Sequence, residues 1–346
     1  MMPLETIVAG IMLVSLIFYA LLAGADYGGG VWDLFAFGTR AKQQRELIAK
    51  AISPVWEANH VWLILVIVIL FTAFPPAFAT AATALHIPLT LMLIGIVLRG
   101  TAFTFRTYDS KHDRVQRRWS LLFSIASIIT PIVLGITLGA IASGTIRVEN
   151  NAVTSGFFAS WLALFPFAVG FFALALFAFL AAVYLTLETN DRQLQEDFRN
   201  RALVAGAVVG ILALIVFLLA ATGAPTVRAG ISRSRWALAL HILTAIFASG
   251  AFLALWTRRF RWAQICAAAQ VSLILAGWAF AQYPFLIEPD ITITTAAAPR
   301  ITLQLLLGAL GVGAVLLFPS YYYLFRVFKR KNTLIAIREN PDKVIG

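Results

Sequence analysis

Charge is scarce in this 346-residue chain: 12% of its residues are charged and 60% are hydrophobic. Mean hydropathy is +0.86. A soluble domain carries about 25% charged and about 45–50% apolar residues, so a soluble globular protein and a disordered chain are both excluded. Cysteine is scarcer still. The single Cys266 excludes an internal disulfide, a CxxC zinc site, a four-cysteine iron–sulfur cluster and a CxxCH haem attachment. Phosphate loops and clusters of metal ligands are also missing, and no internal repeat is found. The net charge of +11 would suit nucleic acid, but the basic residues sit in short connections between apolar runs. No nucleic-acid partner is expected.

What is present is a series of apolar runs, each near the roughly 20 residues that cross a bilayer. Nine are found, at about 4–36, 53–75, 77–100, 119–142, 157–187, 201–221, 236–256, 262–283 and 301–328. The expected fold is an all-α polytopic membrane protein, a single transmembrane domain over residues 1–346. The first run has no basic leader and no small-residue cleavage site, so it reads as a retained span. Lys and Arg in short loops mark the cytoplasmic side. Segments 40–50, 106–118, 192–201, 258–261 and 326–343 hold 21 of them, all on one side. The other side holds five: Arg147, Arg228, Arg233, Arg235 and Arg300. The N-terminus is therefore expected outside and the C-terminus in the cytoplasm.

Ionisable groups inside a span are costly and usually functional. Span one carries Asp26 and Asp33, with Glu5 at its edge; span two carries Glu57, Asn59 and His60; span three carries His86 and Arg99; span seven carries His241. Gly24 and Gly28, four apart, let a neighbouring helix approach and bury Asp26. The glycines also hint at a broken helix. Asp33 reads most simply as an interface acid, solvated or paired with a loop arginine. Ser53 and Pro54 suit a helix start, and an acid in the first turn suits the helix dipole, which is one account of Glu57. The other is proton uptake. His60 lies three residues on, on the same face, and Trp56 and Trp62 make the surroundings apolar. A carboxyl that holds and releases a proton near the inner surface is what a proton path requires. Arg99 reads either as a charge partner for a buried acid or as a snorkelling side chain. By helix rise, His60 lies near the inner side and His241 near the outer side, so they cannot share an iron. A haem bound by this chain alone is not expected.

These residues also carry a resemblance. Ala23-Gly24-Ala25-Asp26-Tyr27-Gly28 is similar to a degenerate "D-G-F-D-x-G". Pro54-Val55-Trp56-Glu57-Ala58-Asn59-His60-Val61-Trp62-Leu63 resembles "P-x-W-[DE]-x-N-x-V-W-L". Leu98-Arg99-Gly100-Thr101-Ala102-Phe103-Thr104-Phe105-Arg106 resembles "F-R-x-x-x-F-[DE]-[FY]-R". The family is subunit II of cytochrome bd-type quinol oxidases. The resemblance implies a haem-free, multi-pass subunit of a bacterial-type cytoplasmic membrane. Its partner would be a homologous subunit I carrying haems b and d and the quinol site. Together they would oxidise quinol and reduce O2 to water. This chain would stabilise subunit I and supply proton access through Glu57, Asp26 and His60, with Arg99 as charge partner and Trp62 at an oxygen path. Lipid surrounds such a complex, and the resemblance leaves room for a structural quinone and a small single-span third subunit. Two family acids are absent, replaced by Ala23 and Thr104. A stand-alone secondary transporter is the alternative from another class. Against it stand the missing repeat and acids gathered toward one side, where a transporter places its site near the midplane.

Overall fold

In a bilayer every backbone N–H and C=O must be bonded within its own segment, so apolar runs become helices. The computed structural model describes residues 3–53, 56–108, 113–150 and 152–339. In chain order it holds α1 (Leu4–Leu34), α2 (Ala41–Ile52), α3 (Trp56–Asn59), α4 (Val61–Ala73), α5 (Pro75–Ala84), α6 (His86–Tyr108) and α7 (Asp113–Ala142). A two-stranded hairpin follows, β1 (Val148–Glu149) with β2 (Ala152–Val153), then α8 (Leu164–Leu185), α9 (Arg192–Gly223), α10 (Pro225–Arg233), α11 (Ala237–Trp256) and α12 (Phe260–Gln282). A second hairpin, β3 (Phe285–Ile287) with β4 (Ile291–Thr292), leads into α13 (Arg300–Glu339). Among the described residues eight helices are long and apolar enough to cross a membrane. A ninth span is counted if the bent pair α4 and α5 is taken as one.

The second and third spans differ from the sequence reading. The chain turns by 117° between α4 and α5, where Phe74 leaves helical geometry and Pro75 opens the next helix. Helix α5 closes at Leu85, so the third span runs from His86 to Tyr108 and not over 77–100. Arg99 consequently sits nine residues before the end of α6, about 13 Å by helix rise, and not at its tip. Ser53 ends α2 and does not begin a span. Helix α1 runs unbroken through its glycines, against the hint of a break. Residues 157–163 form turns outside α8, while α9 begins at Arg192, ahead of the expected 201.

Helices α1 and α8 form the centre of the bundle, and two-thirds of the apolar window of α8 is buried. A Cβ on Gly28 would overlap the Phe177 carbonyl of α8, and one on Gly30 would overlap Ser127 of α7. The bare backbone of α1 thus lets α7 and α8 close on it. At the end holding β1–β4, Arg147 meets Asp290 at 2.9 Å, Ile146 bridges Pro289, and the Ala298 N–H donates to the Ala73 carbonyl at 2.8 Å. At the other end Arg40 grips Asp197 through two nitrogens at 2.6 and 2.9 Å, and Gln44 donates to the same carboxylate at 2.8 Å.

Candidate functional site

The glycine run carries Asp26 and Asp33 of α1 into the bundle, where other helices supply their partners. Asp26 is 6% exposed and accepts a 2.6 Å hydrogen bond from Asn59 Nδ2 of α3. Arg99 of α6 is 1% exposed. Its Nε donates to Ser127 Oγ of α7 at 3.1 Å, and its guanidinium lies 4.6 Å from the Tyr27 ring centre and 5.1 Å from that of Phe123. Arg99 acts electrostatically on both Asp26 and His60, and no described carboxylate is within ion-pair distance of it. The cation is held instead by ring faces, which attract a desolvated guanidinium by roughly 2 kcal/mol.

His60 forms the turn between α3 and α4. Three rings surround it: Tyr27 at 6.0 Å, Tyr19 at 6.1 Å and Trp56 at 6.5 Å between centres. The Tyr19 and Tyr27 hydroxyls are 3.5 Å apart. Three buried atoms, Asn59 Oδ1, His60 Nδ1 and Arg99 Nη2, have no partner among the described residues. Unpaired buried polar atoms cost about 1–3 kcal/mol each, and such groups are where buried water binds. Helix α3 holds Glu57, whose side chain lies outside the described residues, as do Pro54 and Val55.

Trp62 belongs to a different cluster. Its ring stacks on Phe18 at 4.5 Å and leans on Tyr321 at 5.9 Å and Phe318 at 6.5 Å, between α1, α4 and α13. Asp33 is not solvated: it is 1% exposed, and Ser120 and Ser124 donate to its Oδ2 at 2.9 and 3.2 Å. Arg45 reaches the backbone oxygens of Asp33 and Ala36 at 3.4 and 3.0 Å.

Two other histidines, His86 and His241, are engaged with backbone, and His112 lies outside the described residues. His86 Nδ1 is 3.0 Å from the Thr83 carbonyl, and His241 Nε2 is 3.0 Å from that of Ile231. Among the described residues no group of three or more His, Cys, Asp or Glu could hold a metal ion.

The structure thus gathers Asp26, His60 and Arg99 at one place and sets Trp62 apart. The sequence reading overlooked Tyr19, Tyr27 and the serines of α7. A signal was present, because Ser120, Ser124 and Ser127 lie at i, i+4 and i+7, one face of a helix.

A family model described as cytochrome bd terminal oxidase subunit II matches residues 4–328. A Bacillus subtilis (strain 168) protein with a provisional name as a cytochrome bd menaquinol oxidase subunit II is 24% identical over 337 residues, 93% of this chain and 94% of its own length. The cytochrome bd-I ubiquinol oxidase subunit 2 of Escherichia coli (strain K12) is 28% identical over 210 residues, 60% of this chain and 53% of that protein. A chain of the bd oxidase from Geobacillus thermodenitrificans has the same fold, with a TM-score of 0.79 at 23% identity, covering 94% of this chain and 99% of that one. The chain therefore belongs to the cytochrome bd terminal oxidase subunit II family, and the complex it builds is a quinol oxidase.

Proposed function

We propose that this chain is the haem-free subunit of its oxidase, that it stabilises the haem-bearing subunit I, and that it carries protons toward the site of O2 reduction. The observation that carries the reading is the Asp26–Asn59 pair, buried beside Arg99 at the meeting of α1, α3 and α6. A carboxyl at that depth needs a purpose, since burying it without a full ionic partner is unfavourable. Proton exchange supplies one. The fixed charge of Arg99 compensates the carboxylate whenever Asp26 is ionised, and the His60 ring and the two tyrosine hydroxyls extend the polar line. Glu57, one turn of α3 before His60, is the proton-loading group. Trp62 lines an oxygen route in this reading, supported by its apolar aromatic surroundings. The end of the bundle with 21 Lys and Arg faces the cytoplasm, in a bacterial inner membrane. Quinol is the electron donor; a bound structural quinone, lipid and a small third subunit are compatible with the exposed helix faces. No observation favours the transporter alternative.

Oxygen uptake per mole of haem in the purified complex tests the proposal. Glu57→Gln and Asp26→Asn keep shape and polarity but remove the exchangeable carboxyl proton. Both should assemble with normal haem content and turn over at least about tenfold more slowly, and Glu57→Asp should retain more activity than Glu57→Gln. Wild-type rates in both amide variants would overturn the proton role.

A further inference from the structure

Loop charge leaves a remainder at the end of the bundle that carries β1–β4. Of the arginines there, Arg147 pairs with Asp290, and Arg228 donates to the Phe217 carbonyl and lies 3.8 Å from the Phe217 ring centre. Arg233 closes α10 and Arg235 follows it, and both are exposed. Among the described residues no carboxylate is within ion-pair distance of either. The dipole of α10 accounts for a cation in its last turn, which is Arg233, but not for Arg235 beyond its end. These two side chains are held at headgroup depth and not on a free loop. Helix α10 folds back against the bundle, and a Cβ on Gly230 would overlap Ala281 in the last turn of α12. His241 Nε2 of α11 lies 3.0 Å from the Ile231 carbonyl of α10. That contact is four residues into α11, about 6 Å from its start by helix rise. Trp236 meets Phe280 of α12 edge to face at 5.8 Å. From there Leu238, Ile242 and Ile246, all exposed, follow at four-residue spacing on one face of α11. Only 17% of the apolar window of α11 is buried within the chain.

We propose that Arg233 and Arg235 bind the phosphate of an anionic phospholipid whose acyl chains lie along Leu238, Ile242 and Ile246 of α11. A guanidinium presents forked N–H donors that match two phosphate oxygens, and two of them suit a headgroup with net negative charge. A zwitterionic headgroup carries its own ammonium and gains less. Trp236 supplies the ring that sits between headgroup and hydrocarbon at a membrane interface. The apolar stripe from Leu238 to Ile246 is about 12 Å long by helix rise, close to one leaflet's half of a hydrocarbon core roughly 30 Å thick. Free phosphate would meet the two charges and leave that stripe uncovered. The juxtaposition of unpaired cations, an interfacial tryptophan and a leaflet-length apolar face therefore fits a lipid with charge at its head. The inference is independent of the proton role proposed above and of which end of the bundle faces the cytoplasm.

The test uses the purified, delipidated oxidase complex in detergent. Phosphatidylglycerol or phosphatidylcholine is titrated in, and lipid bound per complex is counted by native mass spectrometry. Wild type should hold phosphatidylglycerol about tenfold more tightly than phosphatidylcholine. The double variant Arg233→Gln, Arg235→Gln should lose about tenfold in affinity for phosphatidylglycerol and little for phosphatidylcholine, and Arg235→Lys should lose less than Arg235→Gln. Unchanged phosphatidylglycerol binding in the double variant overturns the proposal. An equal loss in Arg259→Gln, Arg261→Gln, two exposed arginines at the basic end, overturns it too, because overall charge and not this site would then hold the lipid. Full displacement of the lipid by millimolar inorganic phosphate identifies a plain phosphate site and also overturns it. A photo-crosslinking residue in place of Leu238 separates the other occupants: capture of phospholipid supports the site, and capture of a polypeptide overturns it. If the double variant does not assemble, Arg235→Gln alone, outside α10, decides by the same titration. A loss of about fivefold supports the site, and wild-type affinity overturns it.

Discussion

Arginine does not give up its proton inside a protein, so a guanidinium 1% exposed at membrane depth has to be accommodated as a charge. Among the described residues two aromatic faces and one hydroxyl contact it, with Asp26 near enough to feel its charge. Another residue with a costly position lies outside the spans. Glu288, in the α12–α13 connection, is 4% exposed. Its backbone N–H donates to the Ile141 carbonyl, and its Oε2 has no partner among the described residues. Burial pushes its carboxyl above the usual range, and the Thr226 hydroxyl only partly offsets this. The folded chain therefore holds a proton that the unfolded chain has released, and stability falls as pH rises through that window. Glu288→Gln should remove the dependence and raise stability at pH 8 by on the order of 1 kcal/mol, with little change at pH 4. Thermal unfolding of the solubilised complex at both values checks this. Equal shifts at the two pH values would show that the charge is not the cause.

At the scale of elements, helix α1 organises the bundle. The small-residue spacing of Gly24 and Gly28 reads, in sequence, as a face for a close neighbour, and a partner subunit of similar size would satisfy it. The structure gives that face to α8 of the same chain. Phe177 packs on Gly24, its carbonyl fits against Gly28, and the Trp32 indole donates to the Ala178 carbonyl at 2.8 Å. Backbone cannot rotate aside as a side chain does. Gly28→Leu should thus disrupt the subunit itself, by about 3 kcal/mol or more, and not only its association. The measurement is the yield and thermal stability of the complex. Normal yield and an unchanged melting temperature would contradict the packing seen here. The bend after Ala73 belongs to the same scale. Pro75 and Pro76 are plain in the sequence, but apolar residues continue past them, so hydropathy alone cannot tell a new span from a helix turned by 117°.

At the scale of the whole molecule, burial is uneven. Only 6% of the apolar window of α13 is buried within the chain, and large apolar side chains such as Leu238, Leu305 and Val315 are exposed. Such faces require lipid or a partner subunit. Among the described residues His60 is ringed by aromatics, while His86 and His241 are bonded to carbonyls. Expressed without its partner, this chain should give a reduced-minus-oxidised spectrum with no stoichiometric haem band. A stoichiometric haem lost on His86→Ala or His241→Ala would show that the ligand argument fails. Composition and periodicity determine by themselves that the chain is a helical membrane protein, and loop charge gives the expected orientation, because hydrophobicity and charge act residue by residue. The motif around Trp56, Asn59 and Arg99 likewise marks the family from sequence. Which groups touch is decided only by the tertiary structure. Asp26 and Asp33 are seven residues apart on one face, and yet one meets Asn59 of α3 while the other meets the serines of α7. Arg99 lies on rings contributed by α1 and α7. Those pairings depend on how closely glycine lets helices distant in sequence approach, a distance that no local pattern encodes.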